Sequence, residues 1–220
     1  MTATNDPIFP LIRHFSRRVT AVLLRLPVSA NQVTAVSFAL GLGAAWAAGQ
    51  ATQVWAIASG LLMTSAYVLD NCDGEIARFK NQCSRFGMYF DTFVDWIVHA
   101  AFFWALGVGM ATTTGQAFWN WLGLAAAVGG TINYVLGLVL AALAPGTGID
   151  PASTEDPQRP HTPGEWILFA FRELTRADFC FIILALAVFD ALWVLLPAGA
   201  IGAQVYWVTA MFKRAREFHV

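Results

Sequence analysis

Four aspartates at regular spacing could carry out chemistry in this sequence. Asp70 and Asp73 end one apolar stretch, and Asp91 and Asp95 lie within the next. Charge at membrane depth is costly, so acids found there usually face the interior of a helix bundle and serve a function. Successive helical residues are about 100° apart, which places each pair on a single face of its own helix. Two acidic faces can therefore meet across a helical hairpin.

Carboxylates packed this closely need cations between them, because they would otherwise repel one another strongly. Ligands that are all oxygen favour Mg²⁺, Mn²⁺ or Ca²⁺ over zinc, and Mg²⁺ commonly binds through a few carboxylates together with substrate phosphates. The pattern predicts a pair of divalent metals that bridges the oxygens of a diphosphate, while a neighbouring carboxylate accepts the proton of an attacking hydroxyl.

Small residues and one arginine accompany the acids. Gly74, Ala77 and Gly87 lie on the same helix faces, and their lack of bulk lets a ligand approach the helix backbone. Arg78 is placed to pair with a phosphate oxygen. Helix packing is the commoner use of small residues in membranes, so these residues alone do not indicate a site. For the acids the alternative is a solvated loop with helix-capping aspartates, which charge at membrane depth disfavours.

The composition indicates a chain surrounded by lipid. Of 220 residues, 57% are hydrophobic and only 12% are charged. The formal net charge of −1 argues against nucleic acid as a partner. Cys72, Cys83 and Cys180 are odd in number and lack the paired spacing of a zinc site, which disfavours a disulfide framework or a structural metal cluster.

An amphipathic segment begins the chain. Between Pro7 and Pro27, apolar residues recur at helical spacing with arginines on the other side. This predicts an interfacial helix lying on the membrane, assigned to residues 1–30, although a packing helix of a soluble domain gives the same pattern. The segment lacks a compact apolar core followed by a small-residue cleavage site, so we expect it to stay on the protein.

Residues 31–220 are predicted to form one all-α domain with six transmembrane helices. A span needs about 20 predominantly apolar residues. The six candidate spans are residues 32–49, 52–72, 88–111, 117–143, 178–196 and 198–213. Turns at residues 49–52 and at Pro197 make hairpins of the first and last pairs. Six spans place both termini on one side, and basic residues near both ends assign that side, with the connections at 70–85 and 145–177, to the cytoplasm.

Together these residues form the pattern D-x2-D-G-x2-A-R-x8-G-x3-D-x3-D over residues 70–95. The pattern resembles the signature of the CDP-alcohol phosphotransferase family, and all eight fixed positions are present. The six-span layout with an amphipathic first helix is also similar to that family. The resemblance implies a membrane enzyme of phospholipid biosynthesis. Such an enzyme transfers a phosphatidyl or phospho-alcohol group from a CDP-alcohol to an acceptor hydroxyl and releases CMP.

The resemblance also implies roles for individual residues. It assigns Asp70, Asp73 and Asp91 to a site for two metal ions, Mg²⁺ or Mn²⁺. It also implies that Asp95 touches these ions and serves as the catalytic base, with the site facing the cytoplasmic side. The residues implied to frame the nucleotide are Asn31, Thr34, Gly74, Ala77, Arg78, Ser84 and Gly87.

Two further stretches resemble parts of the family. Asn31-Gln32-Val33-Thr34 is similar to its N-x-x-T motif, although Ala30 replaces the proline that often precedes it. Members that accept a phosphorylated polyol, such as inositol-phosphate transferases, carry basic residues near the start of the fifth span. Arg172 and Arg176 look similar, and so does Glu75. Arginines are ordinary at membrane edges, so interfacial anchoring is an equal alternative for the two arginines.

The substrates stay open at this point. The donor is CDP-diacylglycerol with a small polar acceptor, or a CDP-linked headgroup with a lipid alcohol, since both reactions need the same site. A phosphorylated polyol acceptor is the alternative. A divalent-cation transporter is a rival from another class, but an arginine beside the acids would repel a permeating cation. A catalytically silent membrane protein would have no reason to keep costly charge.

Two remaining features have modest interpretations. His99 lies one turn beyond Asp95 and could tune it, but a hydrogen bond within the core is the favoured explanation. Homodimers occur in the family, and the glycine-rich stretch at residues 123–137 could pack against a partner.

Overall fold

The protein is described by a computed structural model covering residues 10–143 and 178–217. Regular structure within these ranges is entirely helical, which confirms the all-α prediction. The described residues contain seven α-helices, α1 Ile12–Leu23, α2 Ala30–Ala48, α3 Gln53–Phe79, α4 Arg85–Thr114, α5 Phe118–Leu143, α6 Phe179–Val188 and α7 Leu195–Glu217. A short 3₁₀ helix, Leu192–Val194, leads into α7. Arg172 and Arg176 lie outside the described residues.

Three segments within the described ranges are long and apolar enough to cross a membrane, judged by length and composition. They are Arg85–Thr114, Phe118–Ala142 and Leu192–Thr209. Large apolar side chains such as Trp104 and Trp121 are more than half exposed on these helices, as expected of a surface that contacts lipid. These helices indicate an integral membrane protein. The helices α2 and α3 are not among the three, so the six-span arrangement stays a prediction.

The connection predicted at residues 70–85 is much shorter in the structure. Helix α3 continues to Phe79, and only residues 80–84 separate it from α4. The reason is packing, because Cys72 and Ile76 are fully buried against α1 and α2 and keep this polar-looking stretch helical. The pattern residues from Asp70 to Arg78 therefore all lie on one helix.

The turn predicted at Pro197 was also misplaced. The chain turns at residues 189–191, and Pro197 lies in the first turn of α7, where its missing N–H has no helical partner to lose. The Gln53 side chain donates hydrogen bonds to the carbonyls of Ala187 and Val188, at 3.3 and 3.0 Å. Those carbonyls at the end of α6 are thus satisfied from a neighbouring helix rather than by a longer α6.

The core lies where α2, α3, α4 and α6 pack together, with Met63, Phe102 and Ile183 fully buried. Small residues bring the backbones close. A Cβ on Gly123 of α5 would lie 3.0 Å from the Cα of Gly107 on α4. Gly123 therefore serves packing within the chain, so at this position the predicted contact with a second subunit is not needed to explain the glycine.

Helix α1 is attached by a residue far along the chain. The fully buried Asp178 accepts hydrogen bonds from the backbone N–H groups of Leu11 and Ile12, at 2.8 and 2.9 Å. Free N–H groups at a helix start favour such a negatively charged acceptor. One turn further on, Ser16 is buried and its hydroxyl donates to Glu75 Oε1 at 2.9 Å. The buried side of α1 is thus partly polar and joined to α3 and to the residue preceding α6.

Candidate functional site

Three of the four aspartates converge. Asp70 and Asp73 lie one turn apart in the C-terminal half of α3, and Asp91 lies near the start of α4. One carboxylate oxygen from each lies within 4.8 Å of the others. Metal–oxygen distances are about 2.0 to 2.6 Å, so oxygens on opposite sides of one ion are roughly 4 to 5 Å apart. These three carboxylates are therefore spaced to hold a divalent cation.

Asp91 provides a further observation that fits a cation. Among the described residues, its Oδ1 is buried and has no hydrogen-bond partner. Buried polar atoms nearly always have partners, and an oxygen left without one is costly. A carboxylate oxygen in this position, beside two other carboxylates, has the chemistry of a metal ligand.

Asp73 is oriented by a threonine of another helix. Thr34 Oγ1 donates to Asp73 Oδ2 at 2.5 Å, and both side chains are buried. The same hydroxyl lies 3.2 Å from the Ala30 carbonyl, so its single proton is best placed on the carboxylate. Thr34 is predicted to lie beside the nucleotide, and the structure shows in addition that its hydroxyl contacts a predicted metal ligand.

The connection before α2 and the connection after α3 bring these helices together. Lys80 Nζ, just after α3, donates to the carbonyls of Leu26 and Val28, at 3.0 and 2.7 Å. Gln82 Oε1 accepts from the N–H of Ala30 at 2.9 Å. The turn before α4 thus holds the start of α2, which carries Asn31 and Thr34, against the end of α3.

Three residues predicted to frame a nucleotide meet at the start of α4. A Cβ on Gly87 would lie 3.2 Å from Ser84 Oγ and 3.4 Å from Asn31 Oδ1. Ser84 also caps α4, because its hydroxyl accepts the N–H of Gly87 at 3.0 Å. This capping role could have been recognised in the sequence, since serine is a preferred residue immediately before a helix.

Three more of the predicted nucleotide residues, Gly74, Ala77 and Arg78, lie on α3. A Cβ on Gly74 would be 3.5 Å from Arg78 Nη1, so the guanidinium group lies along the glycine. Ala77 is half-buried and packs against the small cluster that includes Cys72 and Ile76. The nucleotide roles of these residues stay predictions.

Asp95 is not part of the group of three carboxylates. It lies one turn beyond Asp91 and lines a cavity of about 410 Å³ between α4, α5 and α7. Apolar residues such as Trp96 and Phe103 form much of the cavity wall. The predicted base therefore borders space that could admit an apolar part of a substrate.

His99 forms two hydrogen bonds beside Asp95. Its Nδ1 lies 2.7 Å from the Asp95 backbone carbonyl, and its Nε2 lies 2.7 Å from the Tyr67 hydroxyl. A carbonyl oxygen only accepts, so Nδ1 is the donor to Asp95, while Nε2 is paired with the Tyr67 hydroxyl. This agrees with the expectation of a hydrogen-bonded histidine in the core, and the Tyr67 partner was not foreseen.

The family model for CDP-alcohol phosphatidyltransferases matches residues 27–212 of this chain. The chain belongs to the CDP-alcohol phosphatidyltransferase family. Every predicted site residue, from Asn31 to Arg176, lies inside the matched range. The predicted family is thereby confirmed, and the relatives that match this chain are described as transferases and synthases.

Individual relatives within the family match parts of the chain. A Thermococcus kodakarensis protein described as a bifunctional IPC transferase and DIPP synthase is 32% identical over 120 residues, 53% of this chain and 26% of the relative. An Archaeoglobus fulgidus protein of the same description is 36% identical over 90 residues, 41% of this chain and 17% of the relative.

A third relative carries a different description. The archaetidylinositol phosphate synthase of Pyrococcus horikoshii is 26% identical over 102 residues, which is 46% of this chain and 53% of that protein. The chain thus covers about half or less of the length of each of these three relatives.

Proposed function

We propose that this phosphotransferase uses a phosphorylated polyol of the inositol-phosphate type as its acceptor and a CDP-alcohol as its donor, and that it releases CMP. The observation that carries the proposal is the convergence of Asp70, Asp73 and Asp91 within 4.8 Å. The acceptor class is supported by the Pyrococcus horikoshii relative, whose description names an inositol phosphate product. Transfer to an unphosphorylated alcohol would use the same metal site.

Asp70, Asp73 and Asp91 are the proposed ligands of two divalent ions, with Asp95 touching the site. Ions such as Mg²⁺ or Mn²⁺ bound there supply charge neutralisation of the diphosphate and alignment of the attacking and leaving oxygens. Thr34 holds one oxygen of Asp73, which limits rotation of that carboxylate.

Asp95 is the proposed base. Its carboxylate accepts the proton of the acceptor hydroxyl while that oxygen bonds to phosphorus. The bond between the phosphorus and the CMP oxygen breaks, and CMP leaves with the bonding electrons. The apolar wall of the cavity beside Asp95 suits the lipid chain of one of the two substrates.

Seven residues are proposed to bind the nucleotide, and their positions support the assignment. Gly87 has no side chain, which leaves Asn31 Oδ1 and Ser84 Oγ accessible to polar groups of a ligand. Arg78 supplies a guanidinium group for a phosphate oxygen. Thr34, Gly74 and Ala77 complete the proposed set.

The membrane arrangement is also proposed. Six spans in residues 31–220, preceded by an interfacial helix in residues 1–30, place both termini and the site on the cytoplasmic side. Exposed apolar residues along α5, such as Val128 and Val135, could contact lipid or a second subunit of a homodimer.

The test is CMP release by purified full-length protein in lipid, with inositol phosphate and inositol compared as acceptors. CDP-diacylglycerol and CDP-linked headgroups are each offered as donor, with Mg²⁺, with Mn²⁺ and with a chelator. We expect release that requires the metal and the phosphorylated acceptor. Release with inositol alone would contradict the acceptor class, and release in the chelator would contradict the role of the carboxylates.

A further inference from the structure

A second cavity, of about 620 Å³, opens between α1 and α3. Its lining includes three arginines, Arg13 and Arg17 from α1 and Arg78 from α3, together with Glu75. Arg13 and Arg17 are one helical turn apart and therefore lie on the same side of α1. The cavity is thus lined by arginines from two different helices.

This arrangement is held by contacts outside the cavity lining. Asp178 fixes the start of α1 through the N–H groups of Leu11 and Ile12, and Ser16 joins α1 to Glu75. Ser16 precedes Arg17 directly in the sequence. The positions of the two α1 arginines relative to α3 therefore follow from helix docking.

The charge on the lining selects the chemistry of a ligand. The described lining residues include three arginines and one glutamate, and each guanidinium group offers N–H donors and no acceptor. A phosphomonoester carries about −1.5 to −2 charge near neutral pH, and guanidinium groups bind phosphate oxygens through paired hydrogen bonds. The Glu75 carboxylate can accept hydrogen bonds from hydroxyl groups, which suits a ligand with hydroxyl groups near its phosphate.

The cavity is adjacent to the carboxylate cluster without being part of it. Arg78 lines the cavity, and its guanidinium group lies along Gly74, the residue directly after Asp73. None of the three clustered aspartates lines this cavity. A ligand bound here would therefore lie next to the reaction site on the side of α1.

We propose that the α1–α3 cavity is a second phosphate-binding site, which takes a phosphomonoester between Arg13, Arg17 and Arg78. The phosphomonoester comes from a soluble polyol phosphate or from the headgroup of an anionic lipid such as phosphatidic acid. The soluble source would be the acceptor and rests on the proposed function, whereas binding itself does not depend on that function.

A cysteine placed in the cavity can report binding without any turnover. Ala21 is exposed and lines the cavity, so Ala21→Cys is labelled with an uncharged maleimide in the full-length protein. Cys83→Ser removes the exposed natural thiol, and Cys72 and Cys180 are buried. One arm compares inositol 1-phosphate with inositol, and the other compares phosphatidylcholine vesicles with and without phosphatidic acid.

We expect one of the two phosphomonoesters, inositol 1-phosphate or phosphatidic acid, to slow labelling. Its matched control, inositol or vesicles of phosphatidylcholine alone, should leave the labelling rate unchanged. Slowing by inositol 1-phosphate identifies a soluble ligand, and slowing only by phosphatidic acid identifies a lipid headgroup. Absence of slowing in both arms would overturn the proposal. If a phosphomonoester slows labelling but the protein releases no CMP, the proposed function is contradicted and the proposed phosphate site is supported.

Arginine substitutions supply the matched comparison. The double change Arg13→Gln and Arg17→Gln should raise the half-protecting ligand concentration by about tenfold or more, since it removes charge-assisted hydrogen bonds. Arg18→Gln removes the same charge from an exposed residue of α1 that does not line the cavity, so it should leave protection unchanged. Equal loss in both variants would show general attraction to a basic helix. If the double variant fails to fold, the comparison of ligands on the Ala21→Cys protein still decides.

Discussion

The aspartates of the pattern have different environments, although the sequence pattern treats them alike. Asp73 is buried and hydrogen-bonded to Thr34, whereas Asp91 has a buried oxygen with no partner among the described residues. Asp95 lies against the apolar cavity, with its backbone carbonyl held by His99. These differences lead to distinct expectations for substitution.

Thr34→Val should weaken metal binding while leaving the shape of the side chain nearly unchanged. The valine cannot donate to Asp73, and loss of a hydrogen bond to a metal ligand typically costs about 10- to 100-fold in metal affinity or activity. The measurement is the Mg²⁺ concentration that gives half-maximal CMP release. Thr34→Ser keeps the hydroxyl and should remain close to the wild type. An unchanged metal requirement in the valine variant would rule out this positioning role.

Asp95→Asn should lower turnover by about 10²- to 10⁴-fold, the usual contribution of a general base. CDP binding should persist, because the three clustered carboxylates are untouched. Turnover is measured as single-turnover release of CMP, and CDP affinity is measured by equilibrium binding. Asp190→Asn is the matched control at an exposed turn outside the site. A near-normal rate in Asp95→Asn would remove this residue from the role of base.

At the scale of elements, the position of α1 depends on a contact that spans most of the chain. Asp178 is separated from Leu11 and Ile12 by more than 160 residues, yet it is their hydrogen-bond acceptor. The contact places the basic side of α1 next to α3 and thereby shapes the α1–α3 cavity. Capping of this kind stabilises a helix end because it satisfies N–H groups that have no partner in the helix.

Asp178→Ala should loosen α1 without unfolding the helices that carry the carboxylates. Loss of a cap costs about 0.5–2 kcal/mol, so amide exchange in the first turns of α1 should rise by about 2- to 30-fold. Hydrogen-exchange mass spectrometry of the protein in lipid measures this effect. Asp178→Asn keeps one acceptor oxygen, so its exchange rate in α1 should lie between those of the wild type and Asp178→Ala. Exchange in α1 that stays at the wild-type rate would contradict the capping role.

At the scale of the whole molecule, the membrane orientation is a prediction from basic residues near both ends, and the structure supplies a reporter for it. Cys83 lies in the short connection between α3 and α4 and is exposed, while Cys72 and Cys180 are buried. If the carboxylate site faces the cytoplasm, this connection faces the cytoplasm as well.

A membrane-impermeant maleimide should therefore label Cys83 in inverted membrane vesicles and spare it in right-side-out vesicles. Detergent should make the thiol reactive in both preparations, and Cys83→Ser should remove the signal. Labelling of intact right-side-out vesicles would reverse the proposed orientation of the site.

The sequence by itself determined the family, the helical class and the identity of the acids, because these depend on local spacing. Residues three or four apart share a helix face whatever surrounds the helix, so the pattern from Asp70 to Asp95 was readable without a fold. Burial is harder to predict from the sequence. The stretch after Asp70 is predicted to be a connection, whereas in the structure the buried Ile76 keeps it helical.

Only the tertiary structure decided which of these side chains meet. The approach of Asp91 to Asp70 and Asp73, and the turning of Asp95 toward a different cavity, depend on how α3 and α4 cross. The contacts of Thr34 with Asp73 and of Asp178 with α1 join residues far apart in sequence. Such contacts arise from helix packing, in which side-chain shape along the whole interface sets the geometry, and no short pattern of residues encodes that sum.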